Sequence, residues 1–286
     1  MDKRKRPPRS ARSRINTPRP SATTDRGGKP LPAPKPAGAP SNRAQGLWLF
    51  GLHAVNAGLG NPSRRRHRVI GTKQALENLK EALGEGVFPT PSPEVVDRSE
   101  VDAVCGPDSV HQGLAMLVDP LDGHHIEDLI ADHEGETDTI VVLDQATDPR
   151  NIGAVMRSAR AFGARAVIVQ DRNAPPETGT MAKAASGALE HVHLVRVTNL
   201  ARAIWALKDA NYWCMGFDGH ADTNIADVDP SPKRAIVLGS EGAGLRRLTR
   251  ETCDQLVKIP INEDAESLNL SNACAVSLYE VTRKRQ

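Results

Sequence analysis

Thr139-Ile140-Val141-Val142-Leu143-Asp144-Gln145-Ala146-Thr147-Asp148-Pro149-Arg150-Asn151-Ile152-Gly153 is the stretch that decides the fold class. Its first five residues read as a strand, and a short polar loop follows. Asp148 then supplies a side-chain oxygen at an N-cap, and Pro149 occupies a first helical position where no N–H is needed. Beyond it, Ile152, Val155, Met156, Ala159 and Phe162 recur at the spacing of one buried helical face. Arg157 falls off that face beside Arg160, and spacing alone does not choose between the two arginines.

The same strand-then-helix rhythm continues to the end of the chain. Strands are expected at Thr139–Leu143, Ala166–Val169, Val192–Val197, Trp213–Phe217, Ala235–Leu238 and Leu256–Ile259. Helical patterns lie between them at about 149–162, 177–189, 199–210, 244–254 and 268–283. That alternation means an α/β protein with a parallel-type sheet and helices on both faces. A dinucleotide fold is not indicated, because no G-x-G-x-x-G opens the helix after the first strand.

Upstream, the stretch from Leu47 to Pro120 reads as a small α/β unit. Gly51–Leu59 and Lys73–Leu83 look helical, and His67–Gly71, Val101–Val104 and Leu114–Val118 look like strands. It carries the basic run Arg64-Arg65-Arg66-His67-Arg68, which reads either as a grip on phosphates or as a solvated loop. Residues 121–137 are rich in His, Asp and Glu but match no metal-ligand spacing, so an exposed helix and hinge are expected there.

The first 45 residues differ in kind. They hold twelve Lys or Arg, two Asp and nine Pro, hence about +10, and the whole chain is +2, so the remainder is about −8. Such a tail lacks the apolar surface to offset the entropy of ordering and is expected to be disordered. A flexible cationic arm suits an RNA or DNA backbone; a merely solubilising tail is the plainer alternative. Its prolines argue against the amphipathic helix of a transit peptide, and no apolar span indicates secretion or membrane insertion. Cys105, Cys214, Cys253 and Cys274 lack paired spacing and read as reduced core residues of a cytoplasmic protein. The expected organisation is a basic tail (1–45), a small RNA-binding unit (46–120), a linker (121–137) and a larger α/β domain (138–286).

Three segments past strand ends carry the chemistry: Asn151 to Arg157, Gly239-Ser240-Glu241-Gly242-Ala243-Gly244, and Ser267-Leu268-Asn269-Leu270-Ser271. Polar and glycine residues at such places face a crevice rather than another layer. Together, in this order and spacing, they resemble the three motifs of the SpoU/TrmH family of RNA ribose 2′-O-methyltransferases, within the SPOUT superfamily. Lys183-Ala184-Ala185-Ser186-Gly187-Ala188-Leu189-Glu190 and Val110-His111-Gln112-Gly113 extend the likeness, toward the subgroup acting on a guanosine of 23S rRNA.

The resemblance implies what periodicity does not: a C-terminal trefoil knot, a homodimer packed through the knotted domain, and S-adenosylmethionine as methyl donor without a metal. It implies cofactor contacts at Gly239, Ile259 and Leu268. It casts Arg157 as the residue acting on the ribose 2′-OH, with Asn151, Glu241, Ser267 and Asn269 around it. Since an arginine is essentially never neutral, its expected role is to stabilise the developing alkoxide, with the proton leaving through Arg157, an adjacent phosphate or water.

Local readings compete at several of these positions. Glu241 could cap the helix over Leu245–Cys253, Ser267 could cap the last helix, and Arg246, Arg247 and Arg250 could hold phosphates or be solvated. The functional alternatives are a tRNA or other rRNA methyltransferase, and a catalytically silent RNA-binding ribosome-assembly factor. A silent relative is expected to have lost Arg157, Glu241 or Asn269, and all three are present.

Overall fold

Two sheets of very different character share one apolar core. The computed structural model describes residues 46–84, 89–106, 109–133, 135–228, 231–262 and 264–283. The basic tail expected at 1–45 lies outside the described residues.

The smaller sheet contains β1 (Leu47–Phe50), β2 (Arg66–Gly71), β3 (Glu94–Val95) and β4 (Leu114–Val118) in the order β1-β4-β2-β3. β4 is antiparallel to both β1 and β2. Helices α1 (Leu52–Gly60), α2 (Lys73–Leu83) and α3 (Arg98–Cys105) connect these strands. Side chains alternate across the sheet as the two-residue period of a strand requires. Leu49, Val69, Met116 and Val118 face the main core, while Phe50, Ile70 and Ala115 face α3.

The larger sheet is entirely parallel. It comprises β5 (Asp138–Leu143), β6 (Ala166–Gln170), β7 (His193–Val197), β8 (Trp213–Phe217), β9 (Thr223–Asn224), β10 (Lys233–Leu238) and β11 (Gln255–Lys258). Their order is β7-β6-β5-β10-β8-β11-β9. One face is covered by α5 (Pro149–Ala161), α6 (Gly179–Ala185) and α9 (Leu270–Arg283), whose Ile152, Met156, Met181, Cys274 and Leu278 join the small sheet's inner face in one cluster. The other face is covered by α4 (Ile126–Ala131) and α7 (Leu200–Asp209), through Leu129, Ile204 and Leu207. α8 (Arg247–Thr252) sits between β10 and β11 in the chain. Each large side chain so buried contributes roughly 1.5–3 kcal/mol relative to exposure.

Three expectations from the sequence are corrected. Val101–Val104 is not a strand: Asp97 precedes a helical turn, and Val101, Val104 and Cys105 form one helical face against Phe50, Ile70 and Ala115. The helix expected over 177–189 is broken at Ser186 and Gly187, both of positive φ, before a 3-10 turn at Ala188–Glu190. A Cβ on Gly187 would lie 2.8 Å from the Ala57 Cβ, so the break lets α1 approach. The helix expected from 244 begins only at Arg247, because Gly244 has φ +65° and belongs to the preceding loop.

Strand order fixes where a ligand can enter. From β5 the chain builds β6 and β7 on one side; β10, β8 and β11 lie on the other. Such a switch point opens a crevice beyond the carboxyl ends of the strands.

Candidate active site

Asp148 sets the first wall of that crevice. Its Oδ1 accepts the Arg150 backbone N–H at 2.8 Å, and Pro149 follows as the first residue of α5. Both features appear as expected, and they put Asn151 in the first turn. α5 lies close against α6 because Gly153 has no side chain: a Cβ there would lie 2.4 Å from the Met181 carbonyl oxygen.

The second wall is the loop after β10. Ser240 and Gly244 exchange backbone hydrogen bonds of 3.2 and 3.0 Å, and Gly242 and Gly244 both have positive φ. The loop folds so tightly that a Cβ on Gly239 would sit 2.1 Å from the Gly244 carbonyl carbon. Its exit is tied down by Asp144, a fully buried carboxylate just past β5. Asp144 accepts the Arg246 backbone N–H at 3.0 Å and the guanidinium Nε and NH2 at 2.8 and 2.7 Å. Sequence reasoning missed this anchor; a lone acidic residue after a strand gives no hint of its partner 102 positions away.

Glu241 is where the three segments meet. Its Oε1 accepts hydrogen bonds from Asn151 Nδ2 at 2.9 Å, Asn269 Nδ2 at 2.8 Å and the Leu270 backbone N–H at 3.2 Å. Asn269 Nδ2 also donates to Asn151 Oδ1 at 3.1 Å. Glu241 and Asn269 are exposed and Asn151 is half-buried, so the cluster opens to solvent. A carboxylate oxygen collecting three N–H groups is held in one orientation.

Two local readings are corrected here. Glu241 supports α9 through the Leu270 N–H, whereas α8 starts at Arg246 without any side-chain cap. Asn269, not Ser267, caps α9: its Oδ1 accepts the Ser271 N–H at 2.9 Å and the Ser271 hydroxyl at 2.6 Å. Ser267 is exposed beside half-buried Leu268, and Ile259 packs partly against the main core past β11.

Arg157 stands apart from this cluster. Six residues after Asn151 on α5, it lies about 120° away around the helix axis. It is exposed and makes no hydrogen bond or ion pair to any described residue. Arg150, Ala154 and Ala161 share its outer face of α5.

The other arginines singled out from the sequence are mostly engaged. Arg246 binds Asp144, Arg247 binds Glu251 and Arg250 binds Asp218, so each guanidinium has a carboxylate partner while its side chain stays partly exposed. In the basic run, Arg64 is buried against Glu177 and Glu190, Arg66 donates to the Leu59 carbonyl, His67 meets Asp119 and Arg68 binds Glu94 and Glu100. Arg64 is thereby withdrawn from any phosphate, while Arg65 and His67 are exposed.

Burial pushes the Cys105 thiol up to about 11 and the Cys274 thiol up to about 12, so neither is a thiolate at neutral pH. Among the described residues, no group of three or more His, Cys, Asp or Glu is placed to hold a metal, and no helix is long and apolar enough to cross a membrane.

This arrangement has known counterparts. Residues 138–279 match the model of the SpoU rRNA Methylase family. A 23S rRNA (guanosine-2′-O-)-methyltransferase, RlmB of Vibrio cholerae, is 41% identical over 241 residues, covering 83% of this chain and 96% of that protein. RlmB of Coxiella burnetii is 38% identical over 248 residues, covering 83% and 96%. The fold is also that of the SpoU methyltransferase AviRb from Streptomyces viridochromogenes, solved with AdoMet. The TM-score is 0.71 at 23% identity, covering 85% of this chain and 92% of that one. The chain thus belongs to the SpoU rRNA methylase family.

Proposed function

We propose that this protein transfers a methyl group from S-adenosylmethionine to the ribose 2′-OH of a guanosine in 23S rRNA. The observation that carries the reading is the convergence of Asn151, Glu241 and Asn269 on one oxygen at the switch point of the sheet. Support for the substrate comes from the RlmB relatives, which match nearly their whole length.

The cofactor would be held by the backbone at Gly239, Ile259 and Leu268, at the ends of β10, β11 and the last loop. The residues fit such a group: the missing Cβ of Gly239 lets the Gly244–Leu245 backbone fold tightly against the strand end, and Ile259 and Leu268 offer half-buried apolar surface for an adenosine. S-adenosylmethionine supplies an electrophilic methyl on a sulfonium, a leaving group that needs no metal.

The chain's own residues then have to present the nucleophile. Asn151, Glu241 and Asn269 form a rigid polar floor that orients the ribose, and Ser267 lies at its rim. The Arg157 guanidinium donates to the alkoxide and stabilises it as it develops, while the proton leaves to water or a neighbouring phosphate.

The working unit is a homodimer packed through the C-terminal domain. Supporting this, the large apolar side chains of Val276 and Tyr279 on α9 are exposed. On this reading Arg157 of one protomer completes the cluster of its partner, which accounts for its offset from Asn151. The last segment is threaded as a trefoil knot, and the organisation is a 46–120 substrate-binding unit, a 121–137 linker and a 138–286 methyltransferase domain in a cytoplasmic protein. Mapping 2′-O-methyl sites in rRNA and tRNA from cells with and without the protein tests the reading. Loss of one guanosine ribose methyl from 23S rRNA is expected; an unchanged map would refute it.

A further inference from the structure

Arg64 opens the basic run of the small sheet, yet it is the member least able to meet a phosphate. Its side chain is fully buried, and Glu190 and Glu177 beside it are 2% and 10% exposed. Its guanidinium is used on every side. NH2 and Nε grip the Glu190 carboxylate at 2.6 and 3.1 Å, and NH1 donates to Glu177 Oε1 at 2.7 Å and to the Asp119 carbonyl at 2.9 Å. The carboxylates are held in turn: Asn61 Nδ2 donates to Glu190 at 2.7 Å, and the Leu121 backbone N–H donates to Glu177 at 3.0 Å.

One cation therefore joins three parts of the chain: the turn before β2, the segment leaving β4, and the two ends of the α6 region on the large sheet. Burial alone would lower the guanidinium's proton affinity, but Glu190 and Glu177 more than reverse that. Burial also raises the Glu177 pKa beyond what Arg64 takes back. Apolar side chains would fill the same space without desolvating three charges. What they lack is direction: an arginine fork accepts a carboxylate in one plane, whereas apolar contacts slide. The seam also carries an exposed hydrogen bond from Lys183 Nζ to Gln112 Oε1 at 2.7 Å, but the close approaches of Gly179 to Trp48 and Phe50 and of Gly187 to Ala57 are of the sliding kind.

We propose that Arg64 is a positioning residue whose buried fork sets the angle at which the small sheet docks on the large one, and so aims bound rRNA at the Asn151–Glu241–Asn269 cluster. This rests on the reaction proposed above and adds a determinant of RNA delivery outside the three motifs.

The test uses the full chain with Arg64→Lys, which keeps the charge but not the fork, and Glu190→Gln, which keeps the shape but not the paired acceptor. Each is compared with wild type by melting temperature, S-adenosylmethionine Kd, amide exchange in α1 and α6, and kcat and KM on 23S rRNA. For both variants the KM for RNA is expected to rise about tenfold or more, with kcat at saturating RNA and the cofactor Kd within about twofold. Amides of α1 and α6 should exchange faster without global unfolding. Unchanged KM and exchange would overturn the proposal, as would kcat and KM collapsing together with the melting temperature in both variants. Should the wild type transfer no methyl to 23S rRNA, the reaction is misread. The exchange comparison then judges the clasp alone: faster exchange supports it, unchanged exchange overturns it.

Discussion

Asn269 Nδ2 lies 2.8 Å from Glu241 Oε1, and this bond joins the loop after β10 to the cap of α9. Because Asn151 and Leu270 donate to the same oxygen, structure and charge can be separated by substitution. Glu241→Gln retains an acceptor for these donors and removes the charge. Its stability should stay within about 0.5 kcal/mol of wild type, while methyl transfer falls by about tenfold to a hundredfold. Glu241→Ala leaves the α9 N-terminus without that acceptor and should cost about 0.5–2 kcal/mol in denaturant titration.

Arg157 offers a sharper test of where the site is completed. Arg157→Lys should fold and bind S-adenosylmethionine normally while losing about a hundredfold in methyl transfer, because a lysine point charge cannot replace a planar fork. If Arg157 acts across the dimer, Arg157→Ala chains refolded with Glu241→Ala chains should regain about a quarter of wild-type activity, from the single intact site of each mixed dimer. Arginine acting within its own chain would leave the mixture inactive.

Gly239→Ala places a methyl group where the Gly244 backbone already lies, at 2.1 and 2.3 Å from its carbonyl carbon and oxygen. No side-chain rotation relieves such a clash. The loop must open, with an expected stability loss of about 1–3 kcal/mol. Calorimetric titration should show cofactor affinity falling more than RNA affinity.

The buried clasp gives a pH signature. Burial raises the Glu177 pKa above its ordinary value of 4.5, with Arg64 opposing. Between the unfolded and folded pKa the native state binds more protons, so the Glu177 contribution is full below the unfolded pKa and is lost as pH rises through the folded one. Wild type should therefore gain stability relative to Glu177→Gln as pH is lowered from neutrality toward 4.5; thermal melts of the pair across that range read the difference directly.

The parallel sheet was legible because its strands are short apolar runs bounded by loops, and every large-sheet strand but the two-residue β9 was expected near its observed place. Val101–Val104 misled because four residues with two valines fit a strand as well as one face of a short helix. At the site, Asp148 and Pro149 declared the start of α5 by themselves. The pairing of Asn151, Glu241 and Asn269 needed the motif resemblance, since contacts across 90 and 118 positions leave no periodic trace. The arginines were harder still. A charge run looks the same whether solvated or clasped, and only the fold shows that Arg64 and Arg246 are held by Glu190 and Asp144.

The most direct test of the central claim is methyl transfer in vitro from methyl-tritiated S-adenosylmethionine to protein-free 23S rRNA, with the label mapped to single-nucleotide resolution. The account requires label on the ribose 2′-oxygen of one guanosine, lost with Arg157→Lys although cofactor binding persists. Label on a base, or none in 23S rRNA from the wild-type chain, would contradict it.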